Sequence, residues 1–179
     1  MVIFDKNFSE IFSFQIVSII GGLITGTVLA LYTNKLLIIP GMLILLPGFL
    51  EMRGNISGSL AARLSSGLFL GVVKKKHSKV VRGNLIASFL LAVITGLALG
   101  LIAFLFDLFI FEIYVSEIIF VPLIASVIAS SVEIPVTLFS TFYWFKKGHD
   151  PNNIMGPFIT AMGDVVSTIS LLITMVIIL

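Results

Sequence analysis

The chain contains no cysteine, one tryptophan and two histidines, and only 11% of its 179 residues are charged. Without cysteine there are no disulfides, no thiolate metal ligands and no thiol nucleophile. The shortage of charge excludes a soluble globular domain, whose surface carries roughly a quarter to a third charged residues. The hydrophobic fraction of 58% and mean hydropathy of +1.18 describe an integral membrane protein. The formal charge of +2 comes from basic residues in short connections between apolar runs, so no nucleic-acid partner is expected. No stretch is left for a catalytic, nucleotide-binding or sensor module. A single transmembrane domain over residues 1–179, with no soluble regulatory domain, is the expectation. The N-terminal stretch MVIFDKNFSEIF carries acidic residues and no cationic n-region, so no cleaved signal peptide is expected either.

Five hydrophobic segments predict an all-α protein with five transmembrane helices, at about 12–32, 36–71, 85–106, 118–145 and 154–179. The first holds Gly22 and Gly26, a spacing that permits close helix approach. The second is too long and too interrupted for one plain helix. Its apolar half with Pro40 and Pro47 meets Glu51, Arg53, Gly54 and Asn55, and a break is expected there. The third carries Ala92, Gly96, Gly100 and Ala103 on one face, and Asn84 is placed to cap it. The triplet Arg-Gly-Asn occurs at both 53–55 and 82–84, but the flanks differ and no internal repeat follows.

The connections orient the chain. Lys74, Lys75, Lys76, Lys79 and Arg82 crowd the second, and Lys146 and Lys147 the fourth. The third carries Asp107, Glu112 and Glu117 without a basic residue; Lys35 in the first is the one dissenting charge. The positive-inside rule then predicts a multi-pass protein of the cytoplasmic membrane, N-terminus cytoplasmic and C-terminus outside.

Within the last apolar stretch Asp164 is the only ionisable side chain. A carboxylate at that depth costs about 2.5–3.5 kcal/mol on insertion scales, so it faces a partner, a cavity or an ion. Thr160, Asp164, Ser167 and Thr174 form a polar stripe on this helix, with Gly156 and Gly163 beside it. The fourth helix has a similar stripe: Ser126, Ser130, Glu133, Thr137 and Ser140 or Thr141. Glu133 either pairs with Arg53 or Arg63, stays protonated, or lines a route for an ion. Glu51, Asn55, Ser57 and Ser59 of the second segment add further oxygens, and both histidines, His77 and His149, fall in connections. Oxygen-only ligands favour hard cations such as Mg2+, Ca2+, Mn2+ or Na+. One aspartate per chain is thin for a divalent ion, whereas a two-fold homodimer supplies two. Asp164 as a hydrogen-bonding residue between helices is the plain alternative.

Two stretches carry a resemblance. MRGNISGSLAARLSS, residues 52–66, resembles the Gly-Asn motif and following run of the MgtE-type magnesium channel family and, more closely, its animal solute-carrier relatives. HDPNNIMGPFITAMGDVVSTISLLIT, residues 149–174, is similar to the motif of their last helix. The resemblance implies a five-helix transmembrane domain acting as a homodimer, with the ion path on the two-fold axis. Residue by residue it makes Asp164 the ion-binding carboxylate, Asn55 the motif asparagine, and Thr160 a position whose backbone oxygen faces the ion. Glu133, Glu51, Gly156 and Ser167 are then candidates along the pathway. Against this resemblance, the bacterial family's cytoplasmic regulatory domains are not expected here, and one repeat is expected where the animal relatives carry two, so that dimerisation supplies the second.

The expected function is a transporter or channel for a divalent cation, with Mg2+ as the transported ion, no catalytic cofactor, and the lipid bilayer and a second copy as partners. An exchanger coupled to Na+ or H+ and an accessory membrane subunit are the alternatives. The chain reads as no enzyme: an intramembrane protease needs a Ser–His pair or two aspartates, and a metal-dependent lipid transferase needs clustered carboxylates.

Overall fold

The structure, a computed structural model, describes residues 6–37 and 39–178. In order it contains α1 (Lys6–Leu31), a short α2 (Thr33–Leu36), α3 (Pro40–Phe69), α4 (Lys79–Ile110), a 3-10 turn at Ser116–Ile119, α5 (Phe120–Lys146) and α6 (Pro151–Ile178). Among the described residues every regular element is helical. Ile38 in the second expected span, Leu179 at the end of the fifth, and residues 1–5 of the acidic N-terminal stretch lie outside the described residues.

Among the described residues four helical segments are long and apolar enough to cross a membrane: α1, α4, Ser116–Lys146 and α6. The fifth expected crossing falls on α3. Its 30 residues have the length, about 45 Å at 1.5 Å per residue, but Glu51, Arg53 and Arg63 dilute its apolar character. The break expected at Glu51–Asn55 is not there. Helix α3 runs unbroken from Pro40 to Phe69, and the interruption comes before Pro40. The polar residues find side-chain partners within the fold, so the backbone has no need to unwind around them. Pro40 opens the helix, where a missing N–H costs nothing. Pro47 lies within it and deprives the Leu43 carbonyl of its helical donor.

Helix α4 begins six residues before its apolar run. Its cap is Ser78, whose hydroxyl accepts from the Val81 N–H at 3.3 Å. Asn84, the expected cap, already lies within the helix and donates to the Val80 carbonyl. Polar residues that reach past the bilayer can stay helical, so the helix outlasts its apolar signal.

Helix α6 is central, packed on α1, α3 and α5, while α4 closes the bundle against α3 and α5. Small residues set these approaches. Ala92, Gly96, Gly100 and Ala103 are all buried, with Gly96 against Ser126 and the Pro122 carbonyl, and Gly100 against the Ile119 backbone. On α1 the close approach is made by Gly21, where an added Cβ would lie 2.6 Å from Ala161 Cβ. Gly22 and Gly26 meet nothing within 4 Å. The packed face runs through Gly21 and Thr25, one residue and hence about 100° away.

The two ends differ in charge. Lys6 Nζ donates to the Gly148 carbonyl, Phe69 packs edge-on against Phe145, and Lys76 lies over the Phe139 ring. The start of α1 and the two basic connections therefore share one end. At the other end Leu36, Ile39, Met42, Ile118 and Met175 join one apolar cluster. The last turns of α6 thus lie opposite the first turns of α1.

Candidate functional site

Helix α3 is two-faced. Stepping about 100° per residue, Glu51, Asn55, Ser59 and Ser66 follow one exposed stripe, while Arg53, Ser57, Leu60 and Leu64 point into the bundle and are buried. On α6, Thr160 and Asp164 lie one turn apart, the first exposed and the second half-buried. Pro47, Leu50, Glu51, Gly54 and Asn55 of α3 and Thr160 and Asp164 of α6 line one open cleft of about 470 Å³.

The polar atoms of this cleft are partly pre-arranged. Asn55 Nδ2 donates to Glu51 Oε1 at 3.0 Å, one turn along α3, which leaves the Asn55 amide oxygen free. Thr160 Oγ1 donates to the Gly156 carbonyl at 3.1 Å, so its lone pairs remain available. The site offers two carboxylates, an amide oxygen and a hydroxyl. No group of three or more Asp, Glu, His or Cys side chains gathers as a metal cage among the described residues. Few ligands around a roomy opening suit a hard cation that keeps much of its water, as Mg2+ does.

Of the residues singled out in the sequence, Asp164, Thr160, Asn55 and Glu51 come together here. Gly156 lies one turn before Thr160 with open space beside it, and its carbonyl is already engaged. Glu133 and Ser167, expected along the pathway, lie behind the cleft wall instead. Glu133 is 0% and Arg53 1% exposed, and Arg53 Nη2 meets Glu133 Oε2 at 2.6 Å. Ser57 Oγ donates to the same oxygen at 2.9 Å, Ser167 Oγ to Oε1 at 2.8 Å, and Arg53 Nη1 to Ser130 Oγ at 2.9 Å. Of the two arginines open to Glu133, Arg53 is the partner; Arg63 donates to Ser88 Oγ at 3.1 Å. The whole α5 stripe of Ser126, Ser130, Glu133, Thr137 and Thr141 is buried within the bundle. The stripe turns inward because Arg53, Ser57 and Ser167 neutralise and bond the one charge it carries.

Asp107, a charge of the third connection by sequence, belongs to the helix interior. Asp107 is fully buried, and its carboxylate lies against the Gly41 backbone in the first turn of α3. The spacing held the signal: Asp107 continues the buried series Ala92, Gly96, Gly100, Ala103 by one more turn.

A model of the MgtE family, described as divalent cation transporter, matches residues 46–174 of the 179. The match contains both walls of the cleft. No curated protein and no solved structure matches the chain.

Proposed function

The chain belongs to the MgtE family of divalent cation transporters, and from that premise we propose that it carries Mg2+ across the cytoplasmic membrane as a homodimer, with Asp164 of each copy as the central ion-binding carboxylate. The observation that carries this reading is the cleft: Asp164, Glu51, Asn55 and Thr160, from two helices, turn their oxygens to one opening. Asp164 attracts and holds the ion, while Asn55 and Thr160 contact it or its water shell. Glu51, held by Asn55, adds a second negative charge at the entrance.

The dimer follows from what α3 leaves uncovered. Glu51, Asn55, Ser59 and Ser66 are exposed, and Gly54 and Gly58 have nothing near the Cβ position. Such a face is costly against lipid tails. A second copy with the same face buries it, lets the small residues pack closely, and brings two Asp164 carboxylates to one divalent ion. Helix α3 is then the fifth crossing, shielded from lipid by its partner, and the 179 residues make one transmembrane domain.

The end that gathers Lys74, Lys75, Lys79, Arg82, Lys146 and Lys147 is assigned to the cytoplasm, together with the N-terminus, and the end of α6 to the outside. Two positive charges moving inward gain about 4.6 kcal/mol per 100 mV of membrane potential, enough to drive a channel. The test is Mg2+ uptake into liposomes holding the purified chain. Asp164→Asn is expected to abolish it, and unchanged uptake refutes the reading. Uptake that follows the imposed potential marks a channel; uptake that requires a Na+ or H+ gradient marks an exchanger.

A further inference from the structure

We infer that the buried Arg53–Glu133 pair is the positioning element of the cation cleft, fixing how far apart α3 and α6 hold their ligands; this inference rests on the transport reading above. The groups that grip Glu133 belong to the same helical turns that carry the cleft. Arg53 lies between Glu51 and Asn55 on α3, two residues from each, and Ser57 follows on the same inward face. Ser167 stands three residues after Asp164 on α6. Glu133 on α5 takes Arg53 and Ser57 from one wall and Ser167 from the other, each within 2.6–2.9 Å. It does not open on the cleft itself, so it holds the ligands in place without meeting the ion.

Stability alone gives a poor account of this arrangement. Two charges 1% and 0% exposed are held at a desolvation cost that an apolar pair of similar volume avoids, and such replacements are often neutral or stabilising. The pair is also incompletely satisfied, since Arg53 Nε has no partner. What an apolar pair does not supply is direction: three hydrogen bonds that set α3 and α6 at one separation and one rotation. Supporting groups behind metal ligands act in this way, by orienting them.

The test is the concentration dependence of Mg2+ uptake in liposomes, with thermal unfolding of each variant beside it. Arg53→Met/Glu133→Met removes the charges and keeps the volume. It is expected to unfold at or above the parent's temperature and yet to need about tenfold more Mg2+ for half-saturation. Ser167→Ala, which removes one hydrogen bond, is expected to shift half-saturation in the same direction by less. A folded double variant with the parent's half-saturation overturns the inference. Should the double variant not fold, Ser167→Ala decides, and parental half-saturation there overturns it. Asp164→Asn separates the two readings. If it takes up Mg2+ like the parent, the transport reading fails and takes this inference with it. If it is inactive while the Arg53, Glu133 and Ser167 variants titrate like the parent, the positioning inference alone fails.

Discussion

The carboxylate of Asp107, in the last turn of α4, lies against Gly41 in the first turn of α3, in the space a Cβ on that glycine would occupy. This contact fixes the end of α3 opposite the basic connections. Overpacking there costs about 1–3 kcal/mol, so Gly41→Ala is expected to lower stability by that amount. Asp107→Ala removes the obstacle, and the double variant is expected to lose less than the sum of the singles. Denaturant unfolding in detergent measures all three, and strict additivity contradicts the contact.

Helix α1 meets the bundle through, among other contacts, Gly21 on Ala161 and, at the basic end, His149 Nδ1 at 2.7 Å from Glu10 Oε1. The first contact is backbone-close and the second partly solvated. Gly21→Val is therefore expected to destabilise by about 1–3 kcal/mol, and His149→Ala by about 1 kcal/mol or less. The reverse order in thermal unfolding contradicts this account of how α1 is held.

Glu51 and Asn55 are predicted to matter as a pair. Asn55 holds the Glu51 carboxylate along the cleft wall at 3.0 Å. Glu51→Gln removes a charge from the cleft and Asn55→Ala removes both a cleft-lining amide oxygen and the tether. Each is expected to raise the half-saturating Mg2+ concentration, by about tenfold where 1.4 kcal/mol is lost. Uptake curves that superimpose on the parent's exclude the cleft as the route.

The absence of cysteine makes the topology directly testable. Lys75→Cys and Tyr114→Cys each introduce a single thiol at an exposed position, on connections at opposite ends of the bundle. In intact cells a membrane-impermeant maleimide is expected to label Tyr114→Cys and not Lys75→Cys. The opposite pattern reverses the orientation.

Much of this architecture was legible in the sequence because period and composition act locally. The helices follow the apolar runs, and the small-residue face of α4 is buried as its spacing predicts. What failed to show were pairings set by tertiary rotation. Glu51, Arg53 and Asn55 read as a break in the chain, but 100° per residue places them on opposite sides of one continuous helix. Glu133 was open to Arg53 or Arg63, and the choice of Arg53, 80 residues away, is made by the packing of α3 on α5, which no local pattern carries. Gly22 and Gly26 have the spacing of a packing motif, yet the packed face runs one residue earlier. The cleft itself was half legible: Asp164, Thr160 and Asn55 were marked by motif, while Leu50 and Gly54 acquire their place only when α3 meets α6.

The central claim is that Asp164 meets its own copy across a divalent ion. Anomalous scattering from Mn2+, substituting for Mg2+ in crystals of the protein, tests it most directly. The account predicts a peak on the two-fold axis of a homodimer, between the two Asp164 carboxylates and within reach of Asn55 and Thr160. Asp164 side chains turned to separate surroundings, with no peak between them, contradict it.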